Sequence, residues 1–140
     1  MKDKKTENLM QSLSKTNDIQ SYVKENKESF INITIAEALN KYAREKGLSK
    51  PNVIKRSEIN DIYGYQIFAG TRKPSRDILL CLCFGLMLNV DETQSLLKAS
   101  SLAPLYPKIK RDSIILYGIH NGSSICDVNE QLYSFEEPTL

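Results

Sequence analysis

A Gly-Thr-Arg-Lys-Pro-Ser run at residues 70–75 constrains the fold of this chain more than any other segment. Gly70 follows an apolar stretch and can adopt the left-handed conformation that ends a helix. Pro74 suits the first turn of a new helix, whose free N–H groups the next serine can bind. The run therefore predicts a tight connector between two helices, with Arg72 and Lys73 exposed to solvent.

Further helices are predicted upstream of this connector. Thr34 and Glu37 have the spacing of a capping box, and apolar residues then recur at helical intervals until Gly47. Ser49 offers an N-cap for a second helix. Asn60 offers an N-cap for a third, which extends to the connector.

Downstream, an apolar run predicts a helix over residues 77–88 that closes a small core. Asp91 is the predicted N-cap of a fifth helix, with Gln94 at capping-box spacing. Helical periodicity then predicts two more helices, at 109–119 and 124–135, with an Asn-Gly turn between them. The first of these two contains a β-branched stretch that also fits a short strand, although its length favours a helix.

The order of these signals carries a family resemblance. A serine-capped helix with the apolar pair Val53-Ile54 is followed by a turn at 57–59, a helix, a glycine, two basic residues and a proline. With this order, the segment from Thr34 to Leu97 resembles the DNA-binding domain of the phage-repressor and Cro-like (XRE) family. The resemblance implies an all-α fold with a five-helix, Cro/repressor-like helix-turn-helix core.

The corresponding organisation has three parts. Residues 1–32 form an N-terminal helical or flexible arm, and residues 33–103 form the helix-turn-helix domain. Residues 104–140 form a C-terminal helical pair packed on the same domain. The arm has a sparse set of apolar residues compatible with one or two short helices, the second capped by Asp18, or with a mobile segment that orders on a partner. These apolar residues are Leu9, Met10, Leu13, Ile19, Tyr22, Val23 and Phe30.

Two positions depart from the family pattern. The family usually has glycine in the turn where this chain has Glu58, and a buried isoleucine in the recognition helix where it has Gly64. A glycine inside a helix costs about 1 kcal/mol relative to alanine and leaves a packing position empty. Tyr63, Tyr65 or Phe68 is a candidate to fill the space.

The resemblance assigns base reading to the exposed N-terminal half of the recognition helix. The candidate residues there are Asn60, Asp61, Ile62, Tyr63 and Gln66. The Gln66 amide is the strongest candidate because it can pair bidentately with adenine, whereas Ile62 or Tyr63 could touch a thymine methyl group. Asp61 would have to accept from cytosine or favour the positive helix end. Asn60 could contact a phosphate or simply cap the helix. A structural or solvent-facing role remains an alternative for each.

The candidate residues for contacts to DNA phosphates are Lys50, Arg72 and Lys73. They fall at helix ends or in loops, from which they can reach the DNA backbone. Their alternative role is to keep the surface soluble.

The net charge of +2 hides a strong polarity along the chain. Between residues 41 and 76 there are nine cations, Lys41, Arg44, Lys46, Lys50, Lys55, Arg56, Arg72, Lys73 and Arg76, against three anions, Glu45, Glu58 and Asp61. Beyond Arg111 there are five acids, Asp112, Asp127, Glu130, Glu136 and Glu137, and neither lysine nor arginine. Positive potential is thus concentrated on the segment that resembles a DNA reader, as phosphate binding requires.

Other functional classes find little support. Cys81 and Cys83 would point about 200° apart around a helix, which is unsuitable for shared metal ligation. Cys81 or Cys83 is instead expected to pack as a small apolar residue. Cys126 completes no CxxC pair, and the single histidine, His120, falls beside a predicted turn. With no catalytic motif, we expect no enzyme activity, no metal and no cofactor. The polar N-terminus and the lack of a long apolar run indicate a cytoplasmic protein without a membrane partner.

The sequence therefore predicts a sequence-specific regulator of transcription that binds double-stranded DNA. The C-terminal helices could supply additional core, a homodimer interface, or a docking surface for another protein. The alternative function is a helix-turn-helix protein-interaction module that has lost DNA reading, which Asp61 and Gly64 favour because both suit a reader poorly.

Overall fold

The computed structural model describes residues 6–25 and 34–140. Two compact units divide the chain, Met1–Asn32 and Ile33–Leu140. All regular elements in the described ranges are α-helices: α1 Thr6–Lys15, α2 Ile19–Glu25, α3 Ile35–Glu45, α4 Lys50–Ser57, α5 Asp61–Ala69, α6 Arg76–Gly85, α7 Val90–Ala99, α8 Lys110–His120 and α9 Ile125–Ser134. The predicted all-α class is therefore confirmed for these residues.

The first unit contains the two short helices α1 and α2. As predicted, Asp18 caps α2: its carboxylate accepts hydrogen bonds from the Gln20 backbone N–H at 3.0 Å and the Ser21 hydroxyl at 2.7 Å. The Ser21 hydrogen bond is the main cause of a lowered pKa at Asp18. Tyr22 is the buried residue of α2. Phe30, predicted to belong to the same apolar set, lies outside the described residues.

Side-chain caps begin α3, α4, α5 and α6 where the sequence predicts them. The hydroxyls of Thr34, Ser49 and Ser75 cap α3, α4 and α6 by accepting from the backbone N–H three residues later. The Asn60 side chain does the same for α5, and Gly70 ends that helix with a φ of 82°. These short-range hydrogen bonds satisfy backbone donors that have no partner within the helix.

The predicted cap of α7 is wrong. Asn89, not Asp91, is the N-cap: its side chain accepts from the Glu92 N–H at 2.8 Å, and the Glu92 carboxylate accepts from the Asn89 N–H at 3.0 Å. The helix consequently begins at Val90, before the predicted cap Asp91. The Gln94 amide instead makes two hydrogen bonds with the backbone of Leu105, at 2.7 and 2.8 Å.

The predicted extent of α6 is also wrong at its C-terminal end, since the helix stops at Gly85 and not at 88. Met87 adopts a φ of 54°, and its N–H donates to the carbonyl of Phe84. The N–H of Leu88 donates to the carbonyl of Cys83. This Schellman arrangement ends the helix. The apolar pattern continues past the helix end because Leu88 is also buried.

The C-terminal helices share the core of the helices that precede them. Ile115 of α8 and Leu132 of α9 are fully buried in the same hydrophobic cluster as Leu39 and Leu79. Gly122, with a φ of 66°, lies in the turn between α8 and α9. The β-branched stretch of α8 is helical, so the short-strand alternative is excluded.

Two reciprocal ion pairs join the N-termini of α6 and α8, each between an arginine of one helix and an aspartate of the other. Arg76 binds the buried carboxylate of Asp112 through both guanidinium amino groups, at 3.2 and 3.0 Å. Arg111 binds Asp77 at 2.9 and 3.0 Å, and this hydrogen bonding is the main cause of its raised pKa. Arg111 also donates to the carbonyl of Pro138, so the C-terminal segment is fixed to α8.

Candidate nucleic-acid interface

Helices α4 and α5 are joined by a left-handed turn. Glu58 follows α4 with φ 53° and ψ 36°, the conformation that glycine adopts most readily. The Asn60 side chain then accepts from the Tyr63 N–H at 3.1 Å. Glu58 therefore adopts the left-handed conformation at the turn position where glycine was expected from the family resemblance. Asn60 serves as a helix cap.

Gly64 allows α4 and α5 to approach closely. A Cβ at this position would lie 2.9 Å from both Cγ1 and Cγ2 of Ile54, which is itself almost completely buried. The space left by the missing side chain is therefore filled by Ile54 of α4. None of the three aromatic residues proposed from the sequence is needed to fill it.

The exposed face of α5 forms an uncharged stripe, which we define as Ile62, Tyr65, Gln66 and Ala69. Ile62 is 70% exposed and Tyr65 46% exposed, whereas Gln66 is half-buried and Ala69 is exposed. Their i, i+3, i+4, i+7 spacing places them along one side of the helix. Tyr65 and Ala69 are not among the residues predicted from the sequence, although this spacing relative to Ile62 could have identified them.

Tyr63 lies off this stripe. Its side chain is half-buried against the core, and its ring lies 4.6 Å from the guanidinium carbon of Arg72. A cation on an aromatic face at this distance is attracted by the ring electrons. Tyr63 is therefore placed to support Arg72.

Asp61, another predicted base-reading residue, is exposed in the first turn of α5.

The connector after α5 is held against the helix it leaves. Thr71 donates to the Gln66 carbonyl through its N–H at 3.0 Å and its hydroxyl at 3.2 Å. The Asn40 side chain donates to the carbonyls of Ala36 and Phe68, at 2.7 and 3.0 Å, and so ties α3 to the end of α5. These bonds fix the backbone from which Arg72 extends.

An open groove of about 950 Å³ brings the predicted phosphate ligands together. The groove is lined by Lys50 from the start of α4, by Arg72 and Lys73 from the connector, and by Arg44 of α3, with Glu37 of α3 as the one carboxylate among its described lining residues. All four cations belong to exposed residues. Arg44 belongs to the basic segment of the sequence but is not among the predicted phosphate-contacting residues.

Other cations of the basic segment have internal partners. Lys46 forms an ion pair with Glu92 at 3.2 Å, and Arg56 donates to the carbonyl of Gly85 at 3.1 Å. Arg76 is held by Asp112, as described above. These three side chains contribute to folding, so the basic surface is smaller than the sequence count suggests.

The cysteines have the environments expected for packing residues in two of three cases. Cys81 and Cys83 are buried in α6, and burial raises the pKa of their thiols to about 11 and about 12. Cys126 is exposed, and His120 is exposed in the last turn of α8. Within residues 6–25 and 34–140, no group of three or more His, Cys, Asp or Glu side chains has the arrangement of a metal site.

The described helices are all too short or too polar to cross a bilayer. In comparisons with known proteins, no family model matches the chain, and neither a curated protein nor a solved structure does so significantly.

Proposed function

We propose that this protein is a cytoplasmic regulator of transcription that binds double-stranded DNA with sequence preference, on a Cro-like helix-turn-helix core. The observation that carries the proposal is the basic groove: Lys50, Arg72 and Lys73, predicted separately as phosphate ligands, line it together with Arg44. It adjoins the C-terminal end of α5, whose stripe faces solvent. A reader needs both elements, because phosphate contacts position a helix and base contacts give it specificity.

The proposed mechanism divides the work between these two surfaces. The groove cations replace counterions condensed on the phosphates, and the release of those ions favours binding. With the backbone bound, α5 enters the major groove and presents Gln66 and Ile62 to base edges. Asn60, as the cap of α5, keeps the first turn in the conformation needed for that approach. Tyr63 supports this arrangement indirectly, by restricting Arg72.

The first test is selection of bound fragments from random duplex DNA at near-physiological salt, followed by affinity measurements on the enriched site. Gln66→Ala should weaken the preference for that site by about 5- to 150-fold. Arg72→Ala should weaken binding to all sequences. It should also reduce the slope of log affinity against log salt by about one.

Lys98→Ala is the matched control for loss of one positive charge. Lys98 is exposed on α7 and does not line the basic groove. Equal losses of affinity in Lys98→Ala and Arg72→Ala would show that only net charge matters. Failure to enrich any motif would refute sequence-specific reading.

A second candidate function, protein interaction through the C-terminal helices, is favoured by their exposed aromatic residues. Tyr117 of α8 is 66% exposed, Tyr133 of α9 is 80% exposed, and Phe135 is 51% exposed. Aromatic residues are enriched in protein interfaces. We infer that these exposed residues contribute either to the two-fold contact of a homodimer or to the binding of another protein.

Sedimentation equilibrium of the wild type and Tyr133→Ser tests the homodimer directly. A wild-type dimer that becomes monomeric in Tyr133→Ser would support the two-fold contact. A monomeric wild type would refute it, and if no DNA motif is enriched either, the interaction-module function becomes the better explanation.

A further inference from the structure

Helix α5 contains neither lysine nor arginine. Its nine residues read Asp-Ile-Tyr-Gly-Tyr-Gln-Ile-Phe-Ala. Three of these, Gly64, Ile67 and Phe68, are buried against the core and cannot reach DNA. The side chains on the exposed stripe are therefore two aliphatic groups, one aromatic ring and one amide.

This composition selects among base pairs. In the major groove, guanine is read mainly by arginine or lysine, because its edge presents two acceptors. Adenine pairs bidentately with a glutamine amide, and the thymine methyl group packs on apolar side chains. The stripe has the groups for adenine and thymine and lacks the cations for guanine.

The nearest cations do not change this conclusion. Arg72 lies over the Tyr63 ring, and Lys50 and Lys73 line the basic groove, where phosphates are the expected ligands. Asp61 can accept from cytosine, but it precedes the stripe and its charge is repelled by the backbone phosphates. Its preferred location is the positive N-terminal end of α5.

We propose that the base pairs facing the α5 stripe are A·T pairs, with Gln66 on an adenine and Ile62 and Ala69 against thymine methyl groups. This inference rests on the proposed DNA-binding function. It adds the class of sequence that is bound, and a prediction about which atoms of the DNA are read.

Replacement of single thymines by deoxyuridine tests the methyl contacts, because it removes only the methyl group. In the enriched site, each thymine is replaced in turn and the affinity is measured at one salt concentration. Where the stripe buries the methyl group of a thymine, its replacement should lower the affinity of the wild-type protein for the site about fourfold. The same replacement should have no effect in Ile62→Ala when Ile62 is the contacting residue.

Ile109→Ala is the matched control, since Ile109 is also an exposed isoleucine, 51% accessible, but lies outside α5. It should retain the full deoxyuridine effect. An enriched motif made up of G·C pairs, or deoxyuridine replacements that are all neutral in the wild type, would overturn the A·T inference while leaving DNA binding intact. Absence of any enriched motif would instead refute the DNA-binding proposal and this inference with it.

Discussion

Gly64→Ala is the substitution for which sequence and structure give opposite expectations. From the sequence, replacing a glycine inside a helix by alanine should stabilise the protein by about 1 kcal/mol. In the structure, the new Cβ would lie 2.9 Å from both Cγ atoms of Ile54 and 3.1 Å from its Cδ1. Both Cγ atoms are bonded directly to the Ile54 Cβ, so a rotation of the side chain cannot move both away.

The magnitude follows from two opposing effects. The gain in helix propensity is about 1 kcal/mol, whereas an extra methyl group in a filled core costs about 1–3 kcal/mol. Ile54 is 1% exposed, so it has no solvent-filled space to enter. We therefore expect Gly64→Ala to lower the free energy of unfolding by up to about 2 kcal/mol.

Urea denaturation followed by far-UV circular dichroism measures this change, and Ile54→Ala provides the control. Ile54→Ala alone should cost about 2–5 kcal/mol because it leaves a cavity. In that background Gly64→Ala should become neutral or stabilising, since its methyl group enters the cavity. Stabilisation of the wild type by Gly64→Ala, with additive effects in the double variant, would refute the close contact between α4 and α5.

Three further predictions concern stability and thiol chemistry. Glu58→Gly should raise the free energy of unfolding by about 1 kcal/mol in urea melts, because Glu58 has a φ of 53°; a decrease would contradict this. Asp112→Asn should cost about 3 kcal/mol by removing the buried partner of Arg76; a loss below about 1 kcal/mol would contradict a structural pair. Burial raises the thiol pKa of Cys81 to about 11 and Cys83 to about 12, so only the exposed Cys126 should react with a disulfide reagent at neutral pH unless urea is added. Since the unfolded state loses these thiol protons first, stability should also fall as pH rises above about 9; fast labelling of all three in the folded protein would contradict both statements.

Local signals in the sequence predicted the helix boundaries well where one side chain decides the outcome. Ser49 and Ser75 are N-caps, and Gly70 has the positive φ that ends α5. Each of these effects depends on hydrogen bonds or backbone freedom within about four residues. No knowledge of the tertiary fold is needed for them.

The errors have two different causes. Asn89 and Asp91 are both capable caps, and the pairing that decides between them is the local capping box of Asn89 with Glu92. Gly64 instead suggested a packing defect, because nothing in the local sequence indicates that Ile54 occupies the space. In this second case the deciding contact joins helices α4 and α5 and depends on the tertiary fold.

The distribution of charge shows the same dependence on tertiary contacts. The sequence indicates a basic segment, but three of its cations donate hydrogen bonds to carboxylates or carbonyls of other helices. They are Lys46, Arg56 and Arg76. Substituting Arg76 should therefore affect folding before it affects any interaction with phosphate. By contrast, Lys50 and Arg72 come from separate segments and reach one groove. No count of charges along the chain could reveal that these two side chains converge.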